Sequence, residues 1–153
     1  MRGWRAVGSA YAANPFSGAG AARAGSRWNS PGVRLGYAST SRPLAVLETL
    51  VHSTRGYYPA DAVLIPIEIP DELVADVPCL PKDWNQIPYS AGSRHVGDHW
   101  VKNGSSLAIL VPSAVMPAER NILINPAHQL FGQIRIGEPE THAFDRRLFG
   151  MRA

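Results

Sequence analysis

Arg27, Tyr37 and Glu48 are the residues of this chain whose chemistry and spacing call for an explanation. Arg27 stands with Trp28 and Asn29 directly before Ser30-Pro31-Gly32 in the stretch GSRWNSPG. Pro31 presets φ and Gly32 accepts positive φ, so residues 30–32 read as a turn. VRLGYAST follows and reads as a strand with Val33, Leu35 and Tyr37 on one side. The spacing predicts that Arg27 and Tyr37 lie near each other across a hairpin. On pattern alone this is an ordinary hairpin with an exposed arginine and a core tryptophan. Glu48 lies at the margin of an apolar helical arc, where a carboxylate is commonly half-solvated and structural. Placed near Arg27 and Tyr37, it would instead complete an Arg/Tyr/Glu cluster at one end of a cleft. Such a set could hold an anionic nucleotide and stabilise a developing positive charge.

Other chemistries have weaker support. His95 and His99 are four apart and could ligate zinc from one helix face, but Gly97 lies between them and no third ligand has a familiar spacing. No metal is expected. Ser113 in VPSAV lacks the G-x-S-x-G elbow of a serine hydrolase. Cys79 sits among prolines with no activating neighbour and reads as an inert thiol. PFSGAGAARAGS (15–26) is glycine-rich but contains no phosphate-loop pattern, so it reads as a loop leading into the hairpin.

The elements that must position these residues follow from periodicity and punctuation. Thr40-Ser41-Arg42-Pro43 predicts a helix start, with a hydroxyl cap and an early proline. The helix then runs over 44–52, with an apolar arc of Leu44, Val46, Leu47, Leu50 and Val51. AVLIPIEIP (62–70) reads as a strand ended by proline, and the Pro-rich stretch 71–92 as irregular. Asp98 to Lys102 reads as a short helix stopped by Asn103-Gly104. SLAILVPSAV (106–115) is nearly uninterrupted apolar sequence, as in a buried central strand. NILI (121–124) is another strand, Asn125-Pro126 would cap a helical turn over 127–130, and residues 133–149 offer one or two last strands. Many strands and few short helices predict an α+β fold with a curved or split sheet.

The totals set bounds. A chain of 153 residues, with 45% hydrophobic and 18% charged residues, suits one domain over 1–153. The net charge of +3 is carried almost wholly by arginine, scattered along the chain; its longest basic run is Arg146-Arg147. That scatter disfavours a nucleic-acid-binding module, which usually concentrates its charge. A single cysteine permits no internal disulfide, no apolar run reaches the roughly 20 residues of a membrane span, and the first 16 residues lack a secretory h-region. A cytoplasmic protein without membrane contact is expected.

The order GSRWNSPGVRLGYASTSRPLAVLETLVH resembles the signature of RES-domain toxins, the toxic half of RES–Xre toxin–antitoxin modules. The family takes its name from an arginine, a glutamate and a serine, which match Arg27, Glu48 and Ser113. Arg5, GDHW (97–100), LAILVPSAV (107–115), NILINPAH (121–128) and FDRRLF (144–149) agree in the same order, so the resemblance spans nearly the whole chain. Ser26 departs from it, standing where the family more often has a second glycine. The resemblance implies an ADP-ribosyltransferase-like fold and NAD⁺ as substrate rather than cofactor, cleaved at its nicotinamide–ribose bond. Some members of the family instead ADP-ribosylate a protein. It further implies that Arg27, Tyr37 and Glu48 are catalytic, that Asn29, Ser113 and Asn125 help line the NAD⁺ site, and that an Xre-type helix-turn-helix antitoxin restrains the enzyme and makes any DNA contact.

Overall fold

The structure, a computed structural model, describes residues 1–53, 60–145 and 148. Among these residues eight strands and three α-helices follow one another as β1 (Arg2–Gly8), α1 (Ala19–Ala24), β2 (Gly36–Ser39), α2 (Arg42–His52), β3 (Ala62–Glu68), β4 (Val74–Asp76), α3 (Ala91–Asn103), β5 (Ala108–Pro112), β6 (Arg120–Ile124), β7 (Arg135–Ile136) and β8 (Glu140–Thr141). The strands form one sheet in the order β4-β5-β6-β2-β1-β3-β7, with β8 also pairing β3. The α+β class with a split sheet is therefore as the sequence predicts.

The split lies between β1 and β2. β1 pairs with β3 along its whole length, from Arg2–Glu68 to Gly8–Ala62. β2 pairs with β6 from Gly36–Ile124 to Ser39–Asn121. Between β1 and β2, however, the register holds only at Trp4–Ser39. Two half-sheets are thus joined at one end of a seam and diverge along it. The main core is built from Phe16, Ile67, Ile122 and Ile124 with their neighbours, and a second cluster joins Trp28, Leu35, Trp100 and Ile109. Trp4 and Leu64 carry α2 through Ala45.

Several expectations need correction. The strand read over 33–40 shrinks to Gly36–Ser39, and residues 25–35 form a side-chain-organised loop, not a hairpin arm. The Asn29 amide donates to the carbonyls of Ala21, Ser30 and Val33, which does the work of a ladder. The glycine-rich stretch holds the short helix α1. β1 gave no strand signal because two arginines and a glycine interrupt its apolar pattern. A Cβ at Gly3 would lie 2.6 Å from Ile122 Cδ1, so that buried side chain would have to shift to admit one.

α3 begins seven residues before the predicted helix, capped by Ser90, whose Oγ accepts from Ser93 N at 3.1 Å. β4 also falls in the stretch read as irregular and pairs in parallel with β5. β5 is therefore flanked on both sides, but it lies second from the sheet's end and not at its centre. Residues 127–130 form a turn rather than a helix, although Asn125 Oδ1 does accept from Ala127 N at 3.0 Å. The Arg146-Arg147 run and Phe149, half of FDRRLF, lie outside the described residues.

Candidate active site

Glu48 is held in place from three elements. Ser41 caps α2, its Oγ accepting from Leu44 N at 3.3 Å, with Pro43 in the first turn. The helix face toward the sheet is not the predicted arc. Leu44 and Ala45 are buried, Val51 is 58% exposed, and one turn beyond Ala45 the same face presents Glu48 and Thr49, then His52. Glu48 Oε1 accepts from Ser113 Oγ at 2.8 Å and from Asn121 Nδ2 at 2.5 Å. Ser113 is fully buried, and its oxygen accepts from Val115 N and Met116 N at 3.1 and 3.0 Å. Its single proton is therefore committed to Glu48. Asn121 is fixed in turn by Ser39 Oγ, which donates to Asn121 Oδ1 at 2.7 Å. Glu48 Oε2 is left facing His52 Nε2 at 4.0 Å.

The opposite wall is the 25–30 loop, clamped by α3. One face of α3 presents Arg94, Gly97 and Asp98, three and four residues apart. Arg94 Nε donates to the Ser26 carbonyl at 3.1 Å, and Ser30 N donates to Asp98 Oδ1 at 2.9 Å. Gly97 permits this approach, because a Cβ there would lie 1.8 Å from the Trp28 carbonyl oxygen. Trp28 is buried and stacks on Trp84 at 6.3 Å. Arg27, its neighbour, reaches outward. Its Nη1 donates to the carbonyls of Trp84 and Gln86 at 2.6 and 3.1 Å, and its guanidinium lies 4.8 Å from the centre of the Tyr89 ring.

Tyr37 and Arg5 form the floor. The Tyr37 hydroxyl donates to Asn29 Oδ1 at 2.8 Å, and burial, above all, raises its pKa beyond the ordinary tyrosine range. Tyr37 is therefore a neutral donor at physiological pH. Arg5 Nη1 donates to the Tyr37 carbonyl at 2.6 Å, while desolvation pulls its guanidinium down to about 10 against a smaller opposing effect from Tyr37. It stays charged at neutral pH.

These walls enclose a cleft of about 950 Å³ lined, among others, by Arg5, Arg27, Tyr37, Glu48, His52 and Asn121. That is large enough for a dinucleotide-sized ligand. Of the residues singled out from sequence, Arg27, Tyr37 and Glu48 share the cleft. Ser113 stands behind Glu48 and Asn29 behind Tyr37. Both are buried, and neither lines the opening. Asn29, expected to line the site, has its carbonyl oxygen and amide engaged by protein groups instead of turned to the cleft.

Asn125 does not line the cleft either. It lies four residues beyond Asn121 along the chain, roughly 13 Å at strand rise, and donates to the Val101 carbonyl at 3.0 Å. Its polar atoms brace the end of β6 against α3, away from the cleft it was expected to line. Sequence reasoning missed Asn121, Ser39, Arg94 and His52. Only His52 carried a signal, its i+4 spacing from Glu48. His95 and His99 are exposed and stack on each other at 6.1 Å, and among the described residues no group of three or more His, Cys, Asp or Glu side chains converges. No helix among those residues is long and apolar enough to cross a membrane.

Comparison with known proteins agrees with this architecture. Residues 2–145 match the family described as RES domain. A protein from Sphingobium sp. (strain YBL2), named Prs ADP-ribosylating toxin, is 39% identical over 95% of this chain and 94% of its own length. Proteins named Toxin Res from Yersinia enterocolitica and Pseudomonas putida are 36% and 38% identical, each over 95% of this chain and at least 97% of their own. Among solved structures, the M. tuberculosis MbcT–MbcA toxin–antitoxin complex contains a chain that superposes with a TM-score of 0.70 at 19% identity. The superposition covers 94% of this chain and 84% of that one, and shows a shared fold.

Proposed function

The chain belongs to the RES domain family, and from that premise we propose that it is the toxin of a toxin–antitoxin pair that breaks the nicotinamide–ribose bond of NAD⁺. The observation that supports this reading is a carboxylate fixed by two donors on one oxygen, facing a dinucleotide-sized cleft with an arginine on the far wall. When the bond breaks, its electron pair leaves with the nicotinamide nitrogen, giving neutral nicotinamide and an oxocarbenium-like ribose. Glu48 stabilises that cation and bonds a ribose hydroxyl. Arg27 offers its remaining N–H groups to the diphosphate as a planar fork. Tyr37, neutral and anchored by Asn29, shapes the nicotinamide slot. The acceptor adds to the ribose carbon and loses its proton. Ser113 and Asn121 act through Glu48 and are positioning residues.

The test is to incubate purified protein with NAD⁺, with and without inorganic phosphate, and to identify products by mass. Free nicotinamide with ADP-ribose or its 1″-phosphate is the expected result; intact NAD⁺ after prolonged incubation overturns the reading. A second reading, transfer of ADP-ribose to a protein, is favoured by the name of the Sphingobium relative. It shares the first bond cleavage and differs in the acceptor. NAD⁺ that is consumed only when an acceptor protein is added, with a matching mass gain on that protein, selects it. An enzyme draining NAD⁺ also needs restraint, and we assign that role to an Xre-type helix-turn-helix antitoxin that supplies the DNA contact.

A further inference from the structure

Arg94 stands with Arg27 on the wall opposite Glu48, and both guanidiniums reach one aromatic ring. Arg27 lies 4.8 Å and Arg94 5.9 Å from the centre of the Tyr89 ring, and all three residues line the cleft. The bond from Arg94 to the Ser26 carbonyl uses Nε alone, leaving its terminal nitrogens without a protein acceptor among the described residues. A counter-charge is near in sequence but engaged elsewhere. Asp98 follows Arg94 by one helical turn, the spacing at which a helix pairs opposite charges. Its Oδ1 instead accepts from Ser30 N at 2.9 Å, and the ion pairs among the described residues do not include Arg94. Holding the Ser26 carbonyl requires one neutral donor. An arginine brings a charge and a planar fork that this contact does not use.

The charges of the cleft lead the same way. Among the described residues that line it, Arg5, Arg27 and Arg94 are the arginines and Glu48 is the one acid. NAD⁺ placed as above sets its nicotinamide cation against Glu48 and its doubly charged diphosphate against Arg27 and the Arg5 floor. One arginine is left without a counter-charge. With the nicotinamide ribose at Glu48 and the diphosphate at Arg27, the adenosine half lies along the Arg27 wall. That wall has room, because a Cβ at Gly20 would meet open space and its neighbours Ala21, Gly25 and Ser26 are small.

We propose that Arg94 holds a phosphate on the adenosine ribose, so that the 2′-phosphorylated dinucleotide NADP⁺ binds this cleft and is cleaved in it. The proposal rests on the NAD⁺ reading above and adds a second substrate to it. A ribose phosphate carries nearly two negative charges at neutral pH, and a guanidinium grips two of its oxygens at once. In Rossmann dinucleotide sites a nearby arginine accommodates the same phosphate. The chemistry is unchanged. The nicotinamide–ribose bond breaks with its electron pair on nicotinamide, and water adds to the ribose carbon and loses its proton, giving 2′-phospho-ADP-ribose.

The experiment compares wild type, Arg94→Met and Arg94→Lys on NAD⁺ and NADP⁺ by release of free nicotinamide. NAD⁺ is the internal control, because loosening of the Ser26 contact reaches Arg27 and acts on both substrates alike. Wild type should cleave NADP⁺, and Arg94→Met should lower the NADP⁺ to NAD⁺ ratio of kcat/KM tenfold or more, through KM. Arg94→Lys should recover part of that ratio. Wild type that cleaves NAD⁺ and leaves NADP⁺ intact overturns the proposal. So does an Arg94→Met ratio equal to wild type, whatever the absolute rates, since that marks an arginine that only holds the loop.

Binding separates the proposal from the reading beneath it. Adenosine 2′,5′-bisphosphate and adenosine 5′-monophosphate are titrated calorimetrically against the same three proteins. The bisphosphate should bind wild type at least tenfold more tightly, and Arg94→Met should remove most of that preference. A preference that depends on Arg94 in a protein that cleaves neither dinucleotide would remove the cleavage reaction and keep the phosphate contact. NAD⁺ cleavage without any bisphosphate preference would remove the contact alone.

Discussion

At the scale of the residue, Glu48 is the sharpest point of the site because its carboxylate is gripped at one oxygen and meets only His52, at 4.0 Å, at the other. Glu48→Gln keeps shape and size but removes the charge, so it tests electrostatics rather than packing. If the charge acts mainly on the developing ribose cation, kcat should fall on the order of 10²–10³-fold while KM changes little. Turnover near the wild-type rate would remove Glu48 from the chemistry. Tyr37 gives a pH-dependent counterpart. Its folded pKa is raised by burial, so between pH 10 and that higher value the folded state binds more protons than the unfolded chain. Its contribution to stability is therefore complete below about pH 10 and declines as pH rises further. Tyr37→Phe leaves buried Asn29 Oδ1 without its donor and should cost about 1–3 kcal/mol at neutral pH. Denaturant melts at several pH values should show that gap narrowing above about pH 10. The depressed pKa of Arg5 works in the opposite direction over an overlapping range, and only its smaller coupling to Tyr37 differs between the two proteins. A gap that does not change with pH would mean Tyr37 is no more buried than a surface tyrosine. Residue chemistry alone had pointed to Arg27, Tyr37 and Glu48, and all three border the cleft. It could not separate residues facing the opening from Asn29 and Ser113 just behind it, because that depends on rotamers and neighbouring strands.

At the scale of the element, the helix α3 decides how well the Arg27 loop is placed. By intrinsic propensity, Gly97→Ala in the middle of a 13-residue helix should stabilise the protein by about 1 kcal/mol. Packing predicts the reverse, because the new methyl would lie 1.8 Å from the Trp28 carbonyl, a backbone atom held by its own loop. Either α3 or the loop must move, and overpacking of this kind costs about 1–3 kcal/mol. We expect Gly97→Ala to lower the urea midpoint and also to reduce NAD⁺ turnover through displacement of Arg27. A midpoint above wild type would show that α3 tolerates the methyl and that the clamp is loose. Gly97 also shows why α3 was only half legible. Read locally it weakens the helix, and only the tertiary contact explains its presence. α2, β3 and β6 were legible because their caps, prolines and periodicity are local signals. β1 was not, since Arg5 answers to the cleft, Gly3 to the packing of Ile67 and Ile122, and exposed Arg2 lies over the Trp4 ring. The α2 face was misjudged for a related reason. Periodicity assumes that a helix buries apolar residues, whereas this helix turns Glu48, Thr49 and His52 toward an open seam.

At the scale of the whole molecule, the diverging half-sheets leave a cleft bordered by two exposed aliphatic side chains. Val51 on α2 is 58% exposed and Ile87, after the Trp84 turn, is 83% exposed, and both border the opening. Exposed aliphatic residues bordering a cleft favour an inhibitor that enters it over one that grips a distant surface. Scattered arginines around the chain offer further contacts for antitoxin carboxylates. Direct occlusion has a definite kinetic consequence. An antitoxin segment in the cleft competes with NAD⁺, so it raises apparent KM and leaves kcat reachable at saturation. A segment that instead holds the 84–89 stretch shut lowers kcat without competing. The measurement is a titration of purified antitoxin against the enzyme at several NAD⁺ concentrations, in a reversible complex. We expect inhibition to weaken as NAD⁺ rises, and Ile87→Glu to weaken inhibition at least tenfold while unbound enzyme keeps its turnover. Inhibition that saturating NAD⁺ leaves intact rejects occlusion, and full activity in the saturated complex rejects both modes, placing restraint of the toxin in some step other than occupation of this cleft.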